Sequence, residues 1–276
     1  MIDAHQHFWK RSRGDYDWLA GEKSILHDHD YLPQDLLMEL TRCGVAGSIL
    51  VQAAETTAES RFILDLAAKA DCILGVVCWL DFDDPDCLDV LDSYQKSAKF
   101  VGIRPVLQGI SDKDWILAPH RLEVLMELAE RGLTFDALIQ PRHMGVLAKV
   151  IEAVPDLKIV IDHGAKPFIK SGEIEPWASE MHALSRHGSL WCKLSGLVTE
   201  AADNWQPEHL TPYMKALFEA FGPDKLMWGS DWPVVKSASD YAQWLEIARR
   251  FIAPYGEEAL RKVFHDNTAR FYSVPR

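Results

Sequence analysis

Short apolar runs alternate along this chain with longer segments in which apolar residues recur every three or four positions. Such runs, bounded by turn residues, are typical of buried β-strands, whereas the wider spacing is typical of amphipathic helices. The runs predict eight strands, over Ile2–His7, Gly47–Gln52, Ile73–Leu80, Phe100–Arg104, Leu133–Ile139, Lys158–His163, Leu190–Leu194 and Leu226–Ser230. The segments between them predict helices over Thr57–Ala70, Pro119–Glu130, Arg142–Ala153, Pro176–His187, Glu208–Phe221 and Ala238–Ile252, with an additional C-terminal helix over Glu257–Tyr272.

This alternation of strand and helix predicts a (β/α)8 TIM barrel with its active site at the C-terminal mouth of the strands. The length of 276 residues suits a single domain spanning residues 1–276, because such a barrel typically needs about 250 residues. The main rival is a doubly wound open sheet, which would want a glycine-rich phosphate turn after an early strand. No G-x-G-x-x-G follows Ile2–His7 or Gly47–Gln52, so we favour the barrel.

Two long connections are predicted at the face where barrel enzymes place their catalytic residues. Phe8–Pro33 follows the first strand and Gly164–Trp177 follows the sixth. Long loops in compact domains are often functional. The first loop contains Trp9, Tyr16 and Trp18, and we expect these aromatic residues to form a pocket wall, since a loop has little core to pack.

Composition and charge narrow the classes of function. Hydrophobic residues make up 48% and charged residues 25% of the chain, and the formal net charge is −12. A dispersed acidic surface argues against nucleic acid and anionic membranes as partners.

The cysteines and the apolar runs bear on the cellular location. The five cysteines are odd in number and lack a C-x-x-C spacing, which predicts reduced thiols. No signal peptide is recognisable and no apolar run approaches the roughly 18 residues of a membrane span, so we expect a cytoplasmic location.

The first candidate for chemistry is the pair His5 and His7. The two residues are two apart on a predicted strand, so both side chains leave the same face. Two converging imidazoles can bind a divalent metal or polarise a carbonyl. The alternative is a pair of structural histidines that are satisfied by hydrogen bonds.

Three further candidates end predicted strands. Asp231 follows the eighth strand, where a carboxylate can act as general base or metal ligand, although an Asp there can also cap the next turn. His163 closes a β-branched run and is a candidate proton relay or carbonyl polariser, while the preceding Asp162 is expected to point to the opposite side. Arg104 ends the fourth strand, where a cation suits an oxyanion or a carboxylate, with a structural ion pair as the alternative.

Other residues near strand ends are candidates for substrate binding. They are polar or aromatic side chains that the barrel would bring to its mouth, namely Trp18, Gln52, Trp79, Asp136, Lys193 and Trp232. Competing catalytic schemes lack their motifs, because the chain contains no G-x-S-x-G, no P-loop and no H-E-x-x-H.

Taken together and in order, four segments resemble the amidohydrolase superfamily, in the branch called amidohydrolase-related or type 2. These are Ile2–Trp9 with its two histidines, Asp162–Pro167, Trp228–Pro233 and the closing Val263–Tyr272. The opening, together with Gly14–Leu19, is similar to the sugar-lactonase members of this branch. The resemblance covers essentially the whole chain and implies the barrel fold and a hydrolytic activity.

The resemblance also implies a metal-binding pattern from which this sequence departs. Members use the strand-one histidine pair, a strand-four lysine or acid, histidines on strands five and six, and a strand-eight aspartate. Here strand four ends in Arg104 and strand five offers Asp136, so a binuclear site is not expected. A single divalent ion such as zinc can still be held, by His5, His7, His163 and Asp231. Lactonases of the branch can work without metal, so no cofactor is expected to be required.

The expected reaction is hydrolysis of an aldonolactone to the free sugar acid. Asp231 would activate water, and His5, His7, His163 and Arg104 would stabilise the oxyanion. L-fuconolactone or a similar L-sugar lactone is the expected substrate and partner of a monomer or homodimer. One alternative is a zinc-dependent amidohydrolase or decarboxylase of the same fold, and another is a non-catalytic sugar-binding barrel. Bound zinc would distinguish the former, and a turnover assay the latter.

Overall fold

A computed structural model describes residues 1–19 and 26–275 of the chain. Eight parallel strands follow one another around a single sheet in chain order. The strands are β1 Ile2–Gln6, β2 Gly47–Val51, β3 Ile73–Cys78, β4 Phe100–Ile103, β5 Thr134–Ala137, β6 Lys158–Ile161, β7 Leu190–Leu194 and β8 Leu226–Trp228. Seven of the eight are shorter than predicted, because the chain leaves the sheet one or more residues before the predicted end of each of these strands.

The sheet closes on itself where β8 meets β1. Gln6 pairs with Trp232 in a parallel bridge, the His7 amide donates to the Trp232 carbonyl at 2.7 Å, and the Asp231 amide donates to the His5 carbonyl at 2.8 Å. These bonds lie just beyond β8. The backbone that closes the barrel therefore also carries candidate site residues, among them His7 and Asp231. The predicted (β/α)8 barrel is confirmed.

Helices fill the connections between strands. They are α1 Pro33–Cys43, α2 Thr57–Ala67, α3 Cys87–Tyr94, α4 Pro119–Glu130, α5 Met144–Ala153, α6 Trp177–Leu184, α7 Pro207–Lys225 and α8 Tyr241–Ile252. The predicted C-terminal helix is divided into α9 Glu257–Arg261, a π-helical turn Lys262–Asp266 and α10 Asn267–Phe271. Helices α1 and α3 were not predicted from the sequence, although Pro33 in the first turn and Gly44 in a left-handed C-cap are ordinary boundary signals for α1.

A buried apolar cluster joins the strands to the C-terminal segment. Residues of five strands contact the end of the chain there, namely Ile2, Ala4, Ile49, Val51, Val77, Val160 and Met227 against Ala269, Phe271, Tyr272 and Val274. The Tyr272 hydroxyl extends from this cluster and donates to Asp136 Oδ2 at 2.6 Å. The C-terminal segment is therefore connected directly to the polar groups of the candidate site.

The cysteines and the helices agree with two predictions from the sequence. All five cysteines are free, and Cys78, Cys87 and Cys192 are buried, as expected for reduced thiols. Among the described residues, no helix combines the length and the apolar character that crossing a bilayer requires.

Candidate active site

Four of the predicted catalytic residues converge at the C-terminal ends of the strands. His5 and His7, from β1 and just beyond it, bring their Nε2 atoms to 3.1 Å from each other. The carboxylate of Asp231 lies 3.3 Å from His7 Nε2 and 3.8 Å from His5 Nε2. His163 Nε2 lies 3.9 Å from the same Asp231 oxygen. Residues separated by more than 200 positions in the chain thus form one cluster.

Asp231 holds its position by an uncommon backbone conformation. Its φ of 58° lies in the left-handed region, which Asp and Asn tolerate better than most side chains. Burial raises the pKa of its carboxyl, but the three imidazoles of His163, His7 and His5 outweigh this effect and bring the pKa below its ordinary value. Asp231 is therefore ionised at neutral pH and able to accept a proton.

The histidines are fixed by contacts on their second ring nitrogens. His7 Nδ1 lies 2.8 Å from the Val51 carbonyl, so Nδ1 carries the proton that it donates there. His163 Nδ1 lies 2.9 Å from Ser195 Oγ. Burial lowers the pKa of His163 to about 4, so its imidazole is neutral at pH 7. A Cβ at Gly196 would approach His163 Nδ1 to 2.5 Å, so this position requires glycine.

Behind His5 lies a fully buried cluster of two cations and two carboxylates. Lys193 Nζ lies 2.6 Å from Asp136 Oδ2 and 2.9 Å from Asp162 Oδ1. Arg104 Nη1 donates to Asp162 Oδ2 at 3.1 Å, and its Nη2 donates to the Gln52 carbonyl at 2.5 Å. The charges of the four groups balance, which is the condition under which buried ions are tolerated.

The structure corrects the predicted orientation of Asp162. It was expected to point away from His163, yet its carboxylate lies in the buried cluster, 3.4 Å from His5 Nδ1. Val160, two positions earlier, belongs to the cluster that the strands share with the C-terminal segment, so regular alternation turns Asp162 inward as well. It is His163, with a φ of 53°, that leaves the alternation and also reaches the site. Despite burial, Lys193 and His5 hold the pKa of Asp162 well below its ordinary value.

A cavity of about 420 Å³ opens above the cluster. Six predicted site residues line it: His7, Trp18, Gln52, Arg104, His163 and Asp231. His5 is fully buried directly behind this lining. The side chains of Trp79, Asp136, Lys193 and Trp232, predicted as substrate contacts, also lie outside the lining. Asp136 and Lys193 are fully buried in the ion cluster, so any effect they have on substrate is indirect.

Other residues of the cavity wall were not singled out from the sequence. They are mostly polar residues of the loops after β1, β2 and β4, and include Asp15, Asp17, Glu55 and Gln108. Asp15 and Asp17 closely precede Trp18, so their position near a predicted wall residue was the available signal. Lys166 also lines the cavity and pairs with Glu200 at 3.2 Å.

Of the three aromatic residues expected to form a pocket wall in the loop after β1, only Trp18 lines the cavity. Trp18 is 47% exposed, and its indole N–H donates to the Ala53 carbonyl at 2.7 Å, which presents the ring to the cavity. Trp9 and Tyr16 are buried in the main hydrophobic core instead. Part of this first connection, residues 20–25, lies outside the described residues.

One buried acid supports the loop that forms the cavity wall after β2. Glu59, in the first turn of α2, accepts the Ala53 amide with Oε1 at 3.1 Å, while its Oε2 has no hydrogen-bond partner among the described residues. Burial raises the pKa of Glu59 from an ordinary 4.5 to about 8. The neutral acid is therefore the form that the fold favours.

We expect Glu59→Gln to be more stable than the wild type at pH 8 and similar to it at pH 5. Because the pKa of Glu59 is higher in the folded state, its stabilising effect is complete below pH 4.5 and is lost as the pH rises to about 8. The two pKa values correspond to on the order of 4 kcal/mol of lost stability at pH 8. Denaturant unfolding at both pH values measures the difference, with the exposed Glu152→Gln as control. Parallel pH profiles for wild type and Glu59→Gln would contradict this.

The fold and site together define a barrel enzyme that places a carboxylate and three imidazoles beneath a cavity at the strand ends. The chain belongs to the amidohydrolase family, whose family model matches residues 2–274. It is 39% identical over 282 residues to an L-fucono-1,5-lactonase of Burkholderia ambifaria, covering 100% of this chain and 96% of that protein.

Solved structures show the same architecture. Two crystal structures of an amidohydrolase from Burkholderia multivorans are each 28% identical to this chain and cover 99% of both chains. The one with bound HEPES superposes with a TM-score of 0.94, and the one with bound zinc with a TM-score of 0.93.

Proposed function

We propose that this protein hydrolyses a sugar lactone, with L-fucono-1,5-lactone as the first choice, to the free sugar acid. The observation that carries the proposal is an ionised Asp231 among three imidazoles at the floor of a cavity with an acidic rim. The similarity to a protein named L-fucono-1,5-lactonase supports the substrate class. L-rhamnono-, L-galactono- and D-arabinono-lactones are close alternatives.

In the proposed reaction, Asp231 accepts a proton from the water that attacks the lactone carbonyl carbon. The carbonyl oxygen becomes an oxyanion, which Arg104 and the imidazole of His163 can stabilise at the cavity floor. A neutral His7 cannot donate to it from Nε2, because its one proton is on Nδ1 and is donated to the Val51 carbonyl. The bond from the carbonyl carbon to the ring oxygen then breaks, and Asp231 returns its proton to that oxygen. One lactone and one water thus give one hydroxy acid.

The cavity wall favours a neutral polyol over an anionic lactone. Asp15, Asp17 and Glu55 offer carboxylate oxygens that accept hydrogen bonds from sugar hydroxyls. The exposed face of Trp18 suits the apolar face of a sugar ring. Arg104 is bound to Asp162 and the Gln52 carbonyl, and Lys166 pairs with Glu200. Because each cation already contacts a carboxylate of the protein, its attraction for a substrate carboxylate is weakened.

A single divalent ion fits the donor set in number and kind. The donor atoms of His5, His163 and Asp231 lie within 4.8 Å of one another, and His7 Nε2 is 3.3 Å from the Asp231 carboxylate. Zinc takes four such nitrogen and oxygen ligands at about 2.0–2.2 Å. When bound, it would polarise the substrate carbonyl as a Lewis acid. We propose that the reaction does not require it.

The second candidate is a zinc-dependent amidohydrolase or decarboxylase. The specific observation in its favour is this four-donor cluster, together with zinc in one related crystal structure. It differs from the lactonase proposal because its reaction would depend on the metal. A lactone is an ester, and an ester needs less help for its leaving group than an amide does, so its hydrolysis can proceed without the metal.

A panel of sugar lactones, assayed by acid release with and without a chelator, tests the proposal. We expect turnover of L-fucono-1,5-lactone and its near stereoisomers, little turnover of lactones bearing a carboxylate, and activity that survives chelation. Loss of all activity with chelator and recovery with zinc would favour the second candidate. Absence of turnover on every lactone, by folded protein, would leave the non-catalytic sugar-binding barrel.

The cellular setting is a further part of the proposal. Five free cysteines, three of them buried, suit a reducing compartment, and we propose a cytoplasmic role in the degradation of a sugar such as L-fucose. The expected state remains a monomer or homodimer.

A further inference from the structure

Gln52 and Arg104 connect the ends of two strands across the strand between them. They follow β2 and β4, which lie on either side of β3 in the sheet. The Gln52 side chain donates from Nε2 to the Arg104 carbonyl at 2.9 Å, and the Arg104 guanidinium donates from Nη2 to the Gln52 carbonyl at 2.5 Å. Both residues line the cavity, so the pair forms one connected part of its lining.

Each of these two side chains has one polar atom without a hydrogen-bond partner among the described residues, namely Gln52 Oε1 and Arg104 Nε. The amide cannot simply be reversed, because its oxygen would then face the Arg104 carbonyl, and two acceptors do not bond. The other guanidinium nitrogens are used, since Nη1 donates to Asp162 Oδ2 at 3.1 Å and Nη2 to the Gln52 carbonyl. Buried polar atoms nearly always have partners, so a free acceptor and a free donor in the lining of one cavity indicate a ligand.

The two free atoms match two neighbouring groups of an aldonolactone. The carbonyl oxygen of the lactone can only accept a hydrogen bond, whereas the hydroxyl on the adjacent carbon, C2, can donate one. In the proposed reaction the carbonyl oxygen lies toward Arg104, and the carbonyl carbon meets the water at Asp231. Because Gln52 is bonded directly to Arg104, we expect the C2 hydroxyl, which is next to the carbonyl, to be the one within its reach.

We propose that Gln52 determines specificity for 2-hydroxy lactones, with its Oε1 accepting from the C2 hydroxyl while Arg104 Nε donates to the carbonyl oxygen. The inference rests on the proposed lactone hydrolysis and adds the substrate group that the cavity recognises. Gln52 is fully buried in the free protein, so its oxygen exchanges little hydration for the new bond. The C2 hydroxyl therefore contributes more to binding than it would at an exposed acceptor.

The test compares two lactones in two proteins. Wild type and Gln52→Met, which keeps the length of the side chain but loses its amide, are assayed with L-fucono-1,5-lactone and with its 2-deoxy analogue. We expect the wild type to prefer the 2-hydroxy lactone in kcat/KM by about 10–100-fold, and Gln52→Met to lose most of this preference. The hydroxyl also changes the intrinsic reactivity of the carbonyl, but that effect is common to both proteins and cancels in the comparison. A full preference in the folded variant would overturn the proposal, even if all its rates fell because Arg104 had moved.

A matched substrate and a matched variant localise the effect. The 4-deoxy analogue lacks the ring hydroxyl farthest from the carbonyl, and Gln52→Met should respond to its loss as the wild type does. Gln108→Met makes the same chemical change at another glutamine of the cavity lining and should keep the preference for the C2 hydroxyl. Equal loss of that preference in both variants would mean that the cavity as a whole recognises the hydroxyl, and the assignment to Gln52 would be overturned.

Two further measurements separate this inference from the proposed function. If Gln52→Met does not fold, the wild type decides, with each rate divided by the spontaneous hydrolysis rate of the same lactone, and equal values for the 2-hydroxy and 2-deoxy lactones would overturn the inference. If the folded wild type hydrolyses no lactone, the proposed function fails. Calorimetric binding of the two corresponding lactams, in which N–H replaces the ring oxygen, then tests the inference. Tighter binding of the 2-hydroxy lactam supports it, and equal or absent binding overturns it.

Discussion

Replacing Asp231 with asparagine is expected to lower kcat by about 10²–10⁴-fold, the usual contribution of a positioned general base. Asparagine keeps the size of the side chain and tolerates the left-handed φ of 58°, so the backbone is not strained. What it loses is the ability to take a proton from water. KM should change much less, because the lost interaction is made mainly in the transition state.

Asp15→Asn is the matched control. It makes the same chemical change on the wall of the same cavity, at a carboxylate that pairs with Arg13 at 2.7 Å. Its effect should fall on KM, with kcat nearly unchanged. If Asp231 only capped the following turn, Asp231→Asn would lose roughly 1 kcal/mol of unfolding free energy. It would then melt at a lower temperature than the wild type but hydrolyse substrate at the normal rate. Steady-state kinetics and melting of both variants decide between these readings.

The sequence predicted the position of a candidate side chain best where that residue closes a strand of the barrel. Asp231 and His163 both follow apolar runs, and the barrel brings the ends of such runs together. Arg104 was predicted as an oxyanion donor or a structural ion pair, and its position on the cavity wall beside Asp162 is compatible with both. The local sequence pattern was sufficient for these residues, because the barrel fold brings the ends of all its strands to one face.

What could not be predicted depends on backbone irregularities and on partners far apart in the chain. Asp162 and His163 are neighbours in the chain, and both reach the site because His163 leaves the regular strand conformation, which no pattern of residue types reveals. Lys193 interrupts the apolar run of β7, a sign of a polar partner, but its contact with His5 spans 188 positions. A short sequence window therefore suggested a cavity wall where the structure has a buried ion cluster.

The buried cluster leads to the largest expected effect on stability, that of Asp162→Asn. This change keeps the shape of the side chain but removes one of the two carboxylates that balance Lys193 and Arg104. Breaking a buried ion pair from one side typically costs about 3–5 kcal/mol, because an uncompensated charge remains in the interior. We expect the free energy of unfolding, measured with urea at pH 7, to fall by that amount.

A surface carboxylate provides the comparison for this expectation. Asp83 binds Arg121 Nε at 2.7 Å and His120 Nε2 at 2.8 Å, but about half of its side chain is exposed. Exposed pairs contribute about 0–1 kcal/mol, so Asp83→Asn should leave the unfolding curve almost unchanged. Both variants lose one carboxylate that contacts an arginine. Asp162 contacts Lys193 as well and is fully buried, whereas Asp83 lies at the surface. Equal and small losses would mean that water or a shifted proton already compensates Lys193 and Arg104, and the balanced charges of the cluster would then not explain its stability.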